Sequence, residues 1–196
     1  MIYFIGIKGT GMSALACILH DLGYEVMGSD LEKHFFTEEV LIERKIKILP
    51  FDAHQIPNHS TVIIGNAFLE DFPEVIEARN NTTVKCFRYH EFLGEFMKNY
   101  TSFAVAGSHG KTTTTTLLSD MMKSYEPTGY LIGDGTGHIE KGAHNLVIEA
   151  CEYRRHFLAY HPDYAIITNV EIDHVDYYKS DEDYSLAYEE FARQVT

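Results

Sequence analysis

Short apolar runs alternate along the chain with segments whose apolar residues recur at helical spacing. In the first half, buried strands are predicted at residues 2–5, 24–28, 47–49, 61–64 and 84–87. Helices are predicted between them at residues 12–19, 38–45 and 73–79. Strands that alternate with helices are typical of a parallel sheet covered by helices. The pattern therefore predicts an α/β fold for the first half.

The second half repeats this alternation. Apolar strands are predicted at residues 103–106 and 145–152 and again from Tyr164 towards His174. The glycine-rich residues 133–137 are expected to form a flexible loop, and residues 191–196 have the pattern of an interrupted helix without a closing cap. We place the domain boundary between Gly94 and Ser102. A Rossmann-like domain is then predicted at 1–98, and the first part of a P-loop ATPase α/β domain at 99–196.

A glycine turn follows the first strand. Gly9-x-Gly11-x-x-Ala14 fits the dinucleotide fingerprint, and Asp30 lies 19 residues beyond Gly11, where a carboxylate can meet a ribose hydroxyl. Spacing alone leaves an NAD-dependent dehydrogenase or NAD-binding regulator open. Any nucleotide diphosphate can use the same turn, so the residues predict a diphosphate site without naming the ligand.

A second glycine turn joins strand 103–106 to the next helix. Its sequence, Gly107-Ser-His-Gly110-Lys111-Thr112, matches the phosphate-binding pattern only in part, because Val105 stands where the first glycine belongs. Backbone N–H groups at such a turn bind phosphate oxygens, a lysine neutralises charge and a threonine hydroxyl ligates Mg²⁺. We interpret the turn as a nucleotide-phosphate site.

Two candidate metal ligands follow later strands. The strand predicted at 145–152 ends in carboxylates, and His174 follows the strand that begins at Tyr164. Because such side chains can face the phosphate turn, and because Mg²⁺ prefers oxygen ligands completed by phosphate and water, we predict a magnesium site there.

Composition limits the partners. Sixteen basic and 29 acidic residues give a net charge of −13 with His neutral, which argues against nucleic acid as the main partner. Three separated cysteines predict reduced thiols. No signal peptide and no apolar run approaching 18 residues is present, so we expect a soluble, cytoplasmic protein without membrane insertion.

These motifs together resemble those of the Mur ligases, which build the peptidoglycan precursor. The resemblance rests on Gly6-Ile-Lys-Gly-Thr-Gly-Met-Ser13, Gly28-Ser-Asp30, Ala106-Gly-Ser-His-Gly-Lys-Thr-Thr-Thr-Thr115, Glu149-Ala-Cys-Glu152 and Thr168-Asn-Val-Glu-Ile-Asp-His-Val-Asp176. The form of the phosphate turn is most similar to that of the member that adds L-alanine. It implies ATP- and Mg²⁺-dependent ligation of L-alanine to UDP-N-acetylmuramate through an acyl phosphate.

The resemblance also implies roles for particular residues. Those for the UDP sugar are Gly9, Thr10, Gly11, Met12, Ser13, Asp30 and Asn66. Those for ATP are Gly107, Ser108, His109, Gly110, Lys111, Thr112 and Thr113. Lys111, Glu149 and His174 are implied as catalytic, with Thr112, Glu149 and His174 at the metal.

Some features depart from the family pattern or stay open. Cys151 replaces a family Asp, and a thiol is a poor Mg²⁺ ligand. Arg88, Arg154, Arg155 and His156 fit either an anionic ligand or a solvated surface. The family continues past residue 196 into an adenine motif and a third domain, so we expect an N-terminal fragment that is inactive alone. A ligase that recycles peptides onto the same UDP sugar, and a non-catalytic nucleotide-binding module, remain alternatives.

Overall fold

A computed structural model describes all residues, 1–196. Its strands are β1 (Ile2–Ile5), β2 (Val26–Asp30), β3 (Lys47–Pro50), β4 (Thr61–Ile64), β5 (Lys85–Arg88), β6 (Thr101–Ala106), β7 (Thr128–Leu131), β8 (Gly137–His138), β9 (Asn145–Glu149) and β10 (Tyr164–Ile167). Its helices are α1 (Thr10–Asp21), α2 (Glu38–Glu43), α3 (Pro73–Asn80), α4 (Tyr89–Met97), α5 (Lys111–Lys123) and α6 (Asp181–Ala192), with 3-10 segments at Ala53–Gln55 and Tyr153–Ala159.

The chain forms two compact units. The first contains residues 1–92 and the separate segment 134–138, and the second contains residues 93–133 and 139–196. The confirmed α/β class follows from the parallel strands within each unit. None of the helices combines the length and the apolar character that a membrane span requires.

The first unit is built on a five-stranded parallel sheet in the order β3-β2-β1-β4-β5. The central β1 is fully buried and the neighbouring β4 is buried after Thr61, because helices cover a parallel sheet on both faces. α1 buries every residue from Met12 to Leu19. Tyr3, Ile5, Val62 and Val75 pack in one core cluster. The carboxyl ends of β1, β2 and β4 are thereby fixed beside the start of α1, where α/β sheets bind ligands.

The second unit has a parallel sheet in which β10, β6, β9 and β7 are successive neighbours. β6 is central and pairs with β9 on one side and β10 on the other. The loop between β6 and α5 therefore lies next to the carboxyl ends of β9 and β10. This register brings the predicted phosphate turn close to residues that follow those two strands.

Most predicted elements are present, with shifted ends. β9 ends at Glu149 rather than at residue 152, and β10 ends at Ile167 although the apolar pattern continues further. The prediction of a helix at residues 191–196 is wrong, because α6 ends at Ala192 and occupies Asp181–Ala192. The signals that place it are the Ser180 N-cap, whose hydroxyl accepts from the Asp183 N–H, and the buried Tyr184 and Tyr188 at helical spacing.

The glycine-rich loop predicted as flexible is tied to the first unit. The Ser13 hydroxyl donates to the Gly135 carbonyl at 3.3 Å, and His138 Nδ1 lies 2.6 Å from an Asp21 carboxylate oxygen. A Cβ at Gly137 would lie 2.2 Å from the Ala14 carbonyl oxygen, so glycine permits this close approach to α1.

Candidate nucleotide and metal site

The predicted phosphate turn is a tight loop between β6 and α5. Gly107 and Gly110 have φ values of +137° and +79°, a region that favours glycine. A Cβ at Gly107 would also lie 2.0 Å from the Thr168 hydroxyl oxygen. Thr112 and Thr113 are exposed at the first turn of α5, where the backbone N–H groups of a helix lack intrahelical partners. The loop therefore offers a helix N-terminus suited to phosphate.

Residues after β10 support this loop from one side. The Asn169 side-chain oxygen accepts from the His109 N–H at 2.9 Å, and the Thr168 hydroxyl donates to the His109 carbonyl at 2.6 Å. The Ser108 hydroxyl donates to the Glu171 carbonyl at 2.6 Å. The imidazole of His109 itself is exposed. These contacts give the Thr-Asn-x-Glu part of the sequence motif a structural task, which is to fix the loop backbone.

Lys111 points back over the loop. Its ammonium donates to the Gly107 carbonyl at 2.5 Å and to the Ser108 carbonyl at 3.3 Å. It also lies 3.0 Å from a carboxylate oxygen of Glu152, whose side chain is fully buried. A buried carboxylate needs such a partner, because an unpaired charge in the interior is costly. Lys111 and Glu152 thus form the charged centre of the site.

Glu152 also faces two residues that follow β10. His174 Nε2 lies 3.5 Å from Glu152 Oε1, and the ligand atoms of Glu152, Asp173 and His174 all lie within 4.8 Å of one another. Glu152 Oε2 is buried and receives no well-aligned hydrogen bond. Two carboxylates and an imidazole next to a phosphate loop fit a divalent cation that phosphate and water complete.

Glu149, at the end of β9, has a different contact. Its carboxylate accepts from the Gly133 N–H at 2.9 Å, and a Cβ at Gly133 would lie 2.3 Å from one of its oxygens. The structure therefore brings Lys111 and His174 together with Glu152, and gives Glu149 a contact that holds the end of β7. Sequence reasoning missed Glu152 as a site residue, although the same Glu-x-x-Glu motif contains it.

Positive φ values at residues other than glycine concentrate around this site. Arg154, Arg155 and His174 have φ values of 52°, 58° and 52°. Such conformations cost free energy and persist where the surrounding contacts impose them. The 3-10 segment after Glu152 and the turn at His174 are therefore held in specific shapes next to the charged centre.

The basic residues that stayed open in the sequence have protein partners or lie at the surface. Arg155 binds Asp183 at 2.7 Å and Glu190 at 2.9 Å on α6. Arg88 donates to the Phe68 carbonyl and pairs with Glu70. Arg154 is exposed over the Tyr153 ring, and Cys151 is an exposed free thiol. Arg88 and Arg155 therefore serve the fold through these ion pairs.

The glycine turn of the first unit is ordered by a carboxylate and a buried lysine. Asp30 accepts from the backbone N–H groups of Lys8 and Leu31, each at 2.7 Å. The Lys8 ammonium donates to the Leu31 and Lys33 carbonyls and pairs with Glu38 at 3.1 Å. Asp30 thus shapes the turn directly, whatever further contact it makes with a ligand.

The other predicted ligand residues of this unit surround the same turn. Thr10, Met12 and Ser13 lie in the first turn of α1, next to Gly9 and Gly11. Asn66 follows β4, and its side-chain oxygen lies 3.0 Å from His90 Nδ1 at the start of α4. Burial lowers the pKa of His90, which disfavours the charged imidazole. These residues converge at the carboxyl ends of β1, β4 and β5.

The two parallel sheets and the lysine-bearing glycine loop place this molecule among the α/β proteins whose strand–loop–helix turn is suited to phosphate. The family model described as "Mur ligase family, catalytic domain" matches residues 1–101, and that of the "Mur ligase middle domain" matches residues 105–196. The chain belongs to the Mur ligase family.

Comparison with individual proteins agrees with this assignment. The chain is 55% identical over 193 residues to the UDP-N-acetylmuramate–L-alanine ligase of Lactiplantibacillus plantarum, covering 98% of this chain and 44% of the ligase. It thus spans less than half the length of that relative.

Two solved structures are similar to most of the chain. UDP-N-acetylmuramate-alanine ligase MurC of Thermotoga maritima has a TM-score of 0.84 at 29% identity, covering 99% of this chain and 47% of that one. The UDP-N-acetylmuramate:L-alanyl-gamma-D-glutamyl-meso-diaminopimelate ligase of Neisseria meningitides has a TM-score of 0.85 at 27% identity, covering 100% and 68%.

Proposed function

We propose that these residues form the UDP-sugar-binding and phosphate-binding parts of a cytoplasmic ligase of peptidoglycan precursor synthesis. The reaction is the ATP-dependent joining of L-alanine to UDP-N-acetylmuramate. One observation carries the proposal: a buried Glu152 pairs with the lysine of the phosphate loop beside His174, in a chain 55% identical to a ligase of that name.

In this proposal, Lys111 exchanges Glu152 for the β- and γ-phosphates of ATP. Residues 107–113 bind phosphate oxygens through backbone N–H groups. Glu152 and His174, with Asp173 and the Thr112 hydroxyl, would hold Mg²⁺, which when bound would supply positive charge to the transferring phosphoryl group. Transfer of the γ-phosphoryl group to the substrate carboxylate would give an acyl phosphate and ADP, and attack of the L-alanine amine on the acyl carbon would then form the amide and release phosphate. The protein contributes mainly positioning and charge neutralisation.

The first unit is proposed to hold the UDP sugar. The glycine turn and the start of α1 offer backbone N–H groups to the diphosphate, as at other helix N-termini. Asp30 fixes the turn and Asn66 borders it, so each contributes to the site whether or not it contacts the ligand. This proposal is independent of ATP, because its residues all lie in the first unit.

Paired substitutions of the two glutamates test the metal and phosphate site. In a ligase that carries this sequence, Glu152→Gln should reduce turnover by about 10²-fold or more, because it removes charge that acts on the phosphoryl group. Glu149→Gln is the matched control and should keep turnover within a few fold and lower stability by no more than about 1 kcal/mol, because the amide oxygen can still accept from the Gly133 N–H.

The measurements are ADP release and urea unfolding, together with calorimetric binding of UDP-N-acetylmuramate. Both variants should bind the UDP sugar like the unmodified protein. The reverse order, with Glu149→Gln inactive and Glu152→Gln active, would move the metal site to Glu149. NAD binding without UDP-sugar binding would refute the ligase proposal.

The peptide-adding ligase is the second candidate, since its structure from Neisseria meningitides matches the whole chain. Identity to that protein is 27%, against 55% to the L-alanine ligase. The choice of amine distinguishes the two, because only the second candidate accepts a tripeptide in place of L-alanine.

A further inference from the structure

A buried tyrosine of α6 lies between the phosphate loop and Glu152. Tyr184 is 1% exposed, and its hydroxyl lies 2.9 Å from the Ser108 hydroxyl and 3.4 Å from Glu152 Oε1. The Tyr188 hydroxyl, one helical turn later, lies 3.2 Å from that of Tyr184. Burial of a phenol hydroxyl is costly unless it is hydrogen-bonded. The three contacts of Tyr184 therefore define a polar network inside the second unit.

Counting protons gives the direction of these hydrogen bonds. Ser108 has one hydroxyl proton, which it donates to the Glu171 carbonyl at 2.6 Å. Its oxygen accepts from the Glu171 N–H at 2.9 Å. The remaining lone pair accepts from Tyr184, so Tyr184 is the donor in that pair. Tyr188 then donates to Tyr184.

The single proton of Tyr184 faces a second acceptor, Glu152 Oε1. Lys111 now neutralises Glu152 at 3.0 Å. Once Lys111 turns to a phosphate, Glu152 loses this donor, and the proposed cation and the Tyr184 hydroxyl are then the groups that can compensate its buried charge. The Tyr184 hydroxyl is already within reach to donate to it.

We propose that Tyr184 is a positioning residue whose one hydroxyl proton holds Ser108 of the phosphate loop in the protein without ligand and turns to Glu152 when Lys111 binds phosphate. The second half of this statement rests on the proposed function, whereas the first half concerns the protein without ligand. Tyr184 acts through Ser108 and Glu152 and does not contact the reacting atoms.

Tyr184→Phe tests the proposal, with Tyr188→Phe as its control. Each variant removes one buried hydroxyl from the same helix and keeps the ring, but only Tyr184 bonds directly to Ser108. The first measurement needs no ligand. The Glu171 amide donates to Ser108, so its hydrogen exchange should accelerate about tenfold in Tyr184→Phe, the size expected from one lost hydrogen bond. It should change little in Tyr188→Phe.

The exchange of β9 amides separates a local effect from general destabilisation. Acceleration at Glu171 that exceeds the acceleration in β9 supports the positioning role. Equal acceleration at both places, or no change at Glu171, would overturn it. This result does not depend on whether the protein binds a nucleotide.

The second measurement is the binding of Mn²⁺ to the protein in the presence of ATP. The electron paramagnetic resonance signal of free Mn²⁺ reports how much of the ion remains unbound. Tyr184→Phe should weaken binding about tenfold, since a hydrogen bond to a charged group is lost, while Tyr188→Phe should bind like the unmodified protein. Unweakened binding by Tyr184→Phe would exclude donation to Glu152. Absence of binding by the unmodified protein would instead refute the proposed function, and the exchange at Glu171 would still decide the role of Tyr184 in the resting protein.

Discussion

Glu74 is a carboxylic acid in the interior of the first unit. The side chain is on α3 and 1% exposed. It accepts from the Asp52 N–H at 2.7 Å, from the Ser29 hydroxyl and from Gln55. Burial raises its pKa, and the hydrogen bond from Ser29 opposes this shift. The charged form is therefore less favourable in the folded protein than in the unfolded chain.

This shift predicts a pH-dependent difference in stability between the unmodified protein and Glu74→Gln. Because the folded pKa is the higher one, the contribution of Glu74 is fully present below the unfolded pKa of about 4.3. It is lost as the pH rises through the folded pKa. Glutamine stays neutral, so the variant should gain stability relative to the unmodified protein as the pH rises from about 4 to 8.

Urea unfolding across this range measures the difference. Glu77→Gln, on the same helix but partly exposed, controls for the loss of one carboxylate. A constant difference between Glu74→Gln and the unmodified protein across the range would show that folding does not raise the Glu74 pKa.

The choice between Glu149 and Glu152 could not be made from the sequence. The spacing identified Lys111, His174 and the glutamate motif, but Glu149 and Glu152 are only three residues apart. Which of them faces Lys111 depends on where β9 ends, and strand ends are the least predictable feature of a pattern. Since β9 ends at Glu149, the chain turns before Glu152 and directs that carboxylate to the loop.

At the scale of elements, α6 depends on its first turn. The Ser180 hydroxyl accepts from the Asp183 N–H at 3.2 Å, and Asp181, Glu182 and Asp183 supply negative charge to the helix N-terminus. Ser180→Ala should therefore lower the free energy of unfolding by about 1 kcal/mol.

Ser185→Ala is the matched control, because Ser185 is exposed within the same helix. Alanine is the best helix former, so this variant should be neutral or slightly more stable. Chemical denaturation measures both variants. Equal stability of the two would mean that the cap contributes nothing to α6.

The pattern of apolar residues predicted the strands but not α6, and burial explains both outcomes. Apolar runs such as 2–5 and 61–64 indicate buried strands because covering helices exclude polar residues from both faces. α6 instead buries Tyr184 and Tyr188, whose hydroxyls make the pattern look polar. The Tyr184 hydroxyl is paired with Ser108 and Glu152 on other parts of the chain, and a local pattern does not contain these partners.

At the scale of the whole molecule, the first unit is discontinuous in sequence. Segment 134–138 belongs to it although about 40 residues of the second unit precede that segment. Contacts of this kind join distant parts of the chain, so periodicity along the sequence does not reveal them. The domain boundary drawn from the sequence, at 98/99, stays a prediction about independent folding.

Gly137→Ala tests how much this segment stabilises the unit. Its Cβ would lie 2.2 Å from the Ala14 carbonyl oxygen, so either the segment or α1 must shift. Hydrogen exchange of α1 amides should accelerate more than that of α5 amides. Gly142→Ala is the control, since its Cβ would meet nothing within 4 Å and only its positive φ would be strained. Unchanged exchange in α1 for Gly137→Ala would show that the segment adapts freely.

Under the proposed function, the inward position of Lys111 affects the approach of a nucleotide to the loop. The only lysine of residues 107–113 is already compensated by Glu152, and the protein carries a net charge of −13. A triphosphate without a bound cation is therefore repelled on approach and arrives faster once its charge is reduced. Added salt screens like charges, so rising ionic strength should accelerate this encounter, opposite to the behaviour of proteins that attract their nucleotide through a basic surface.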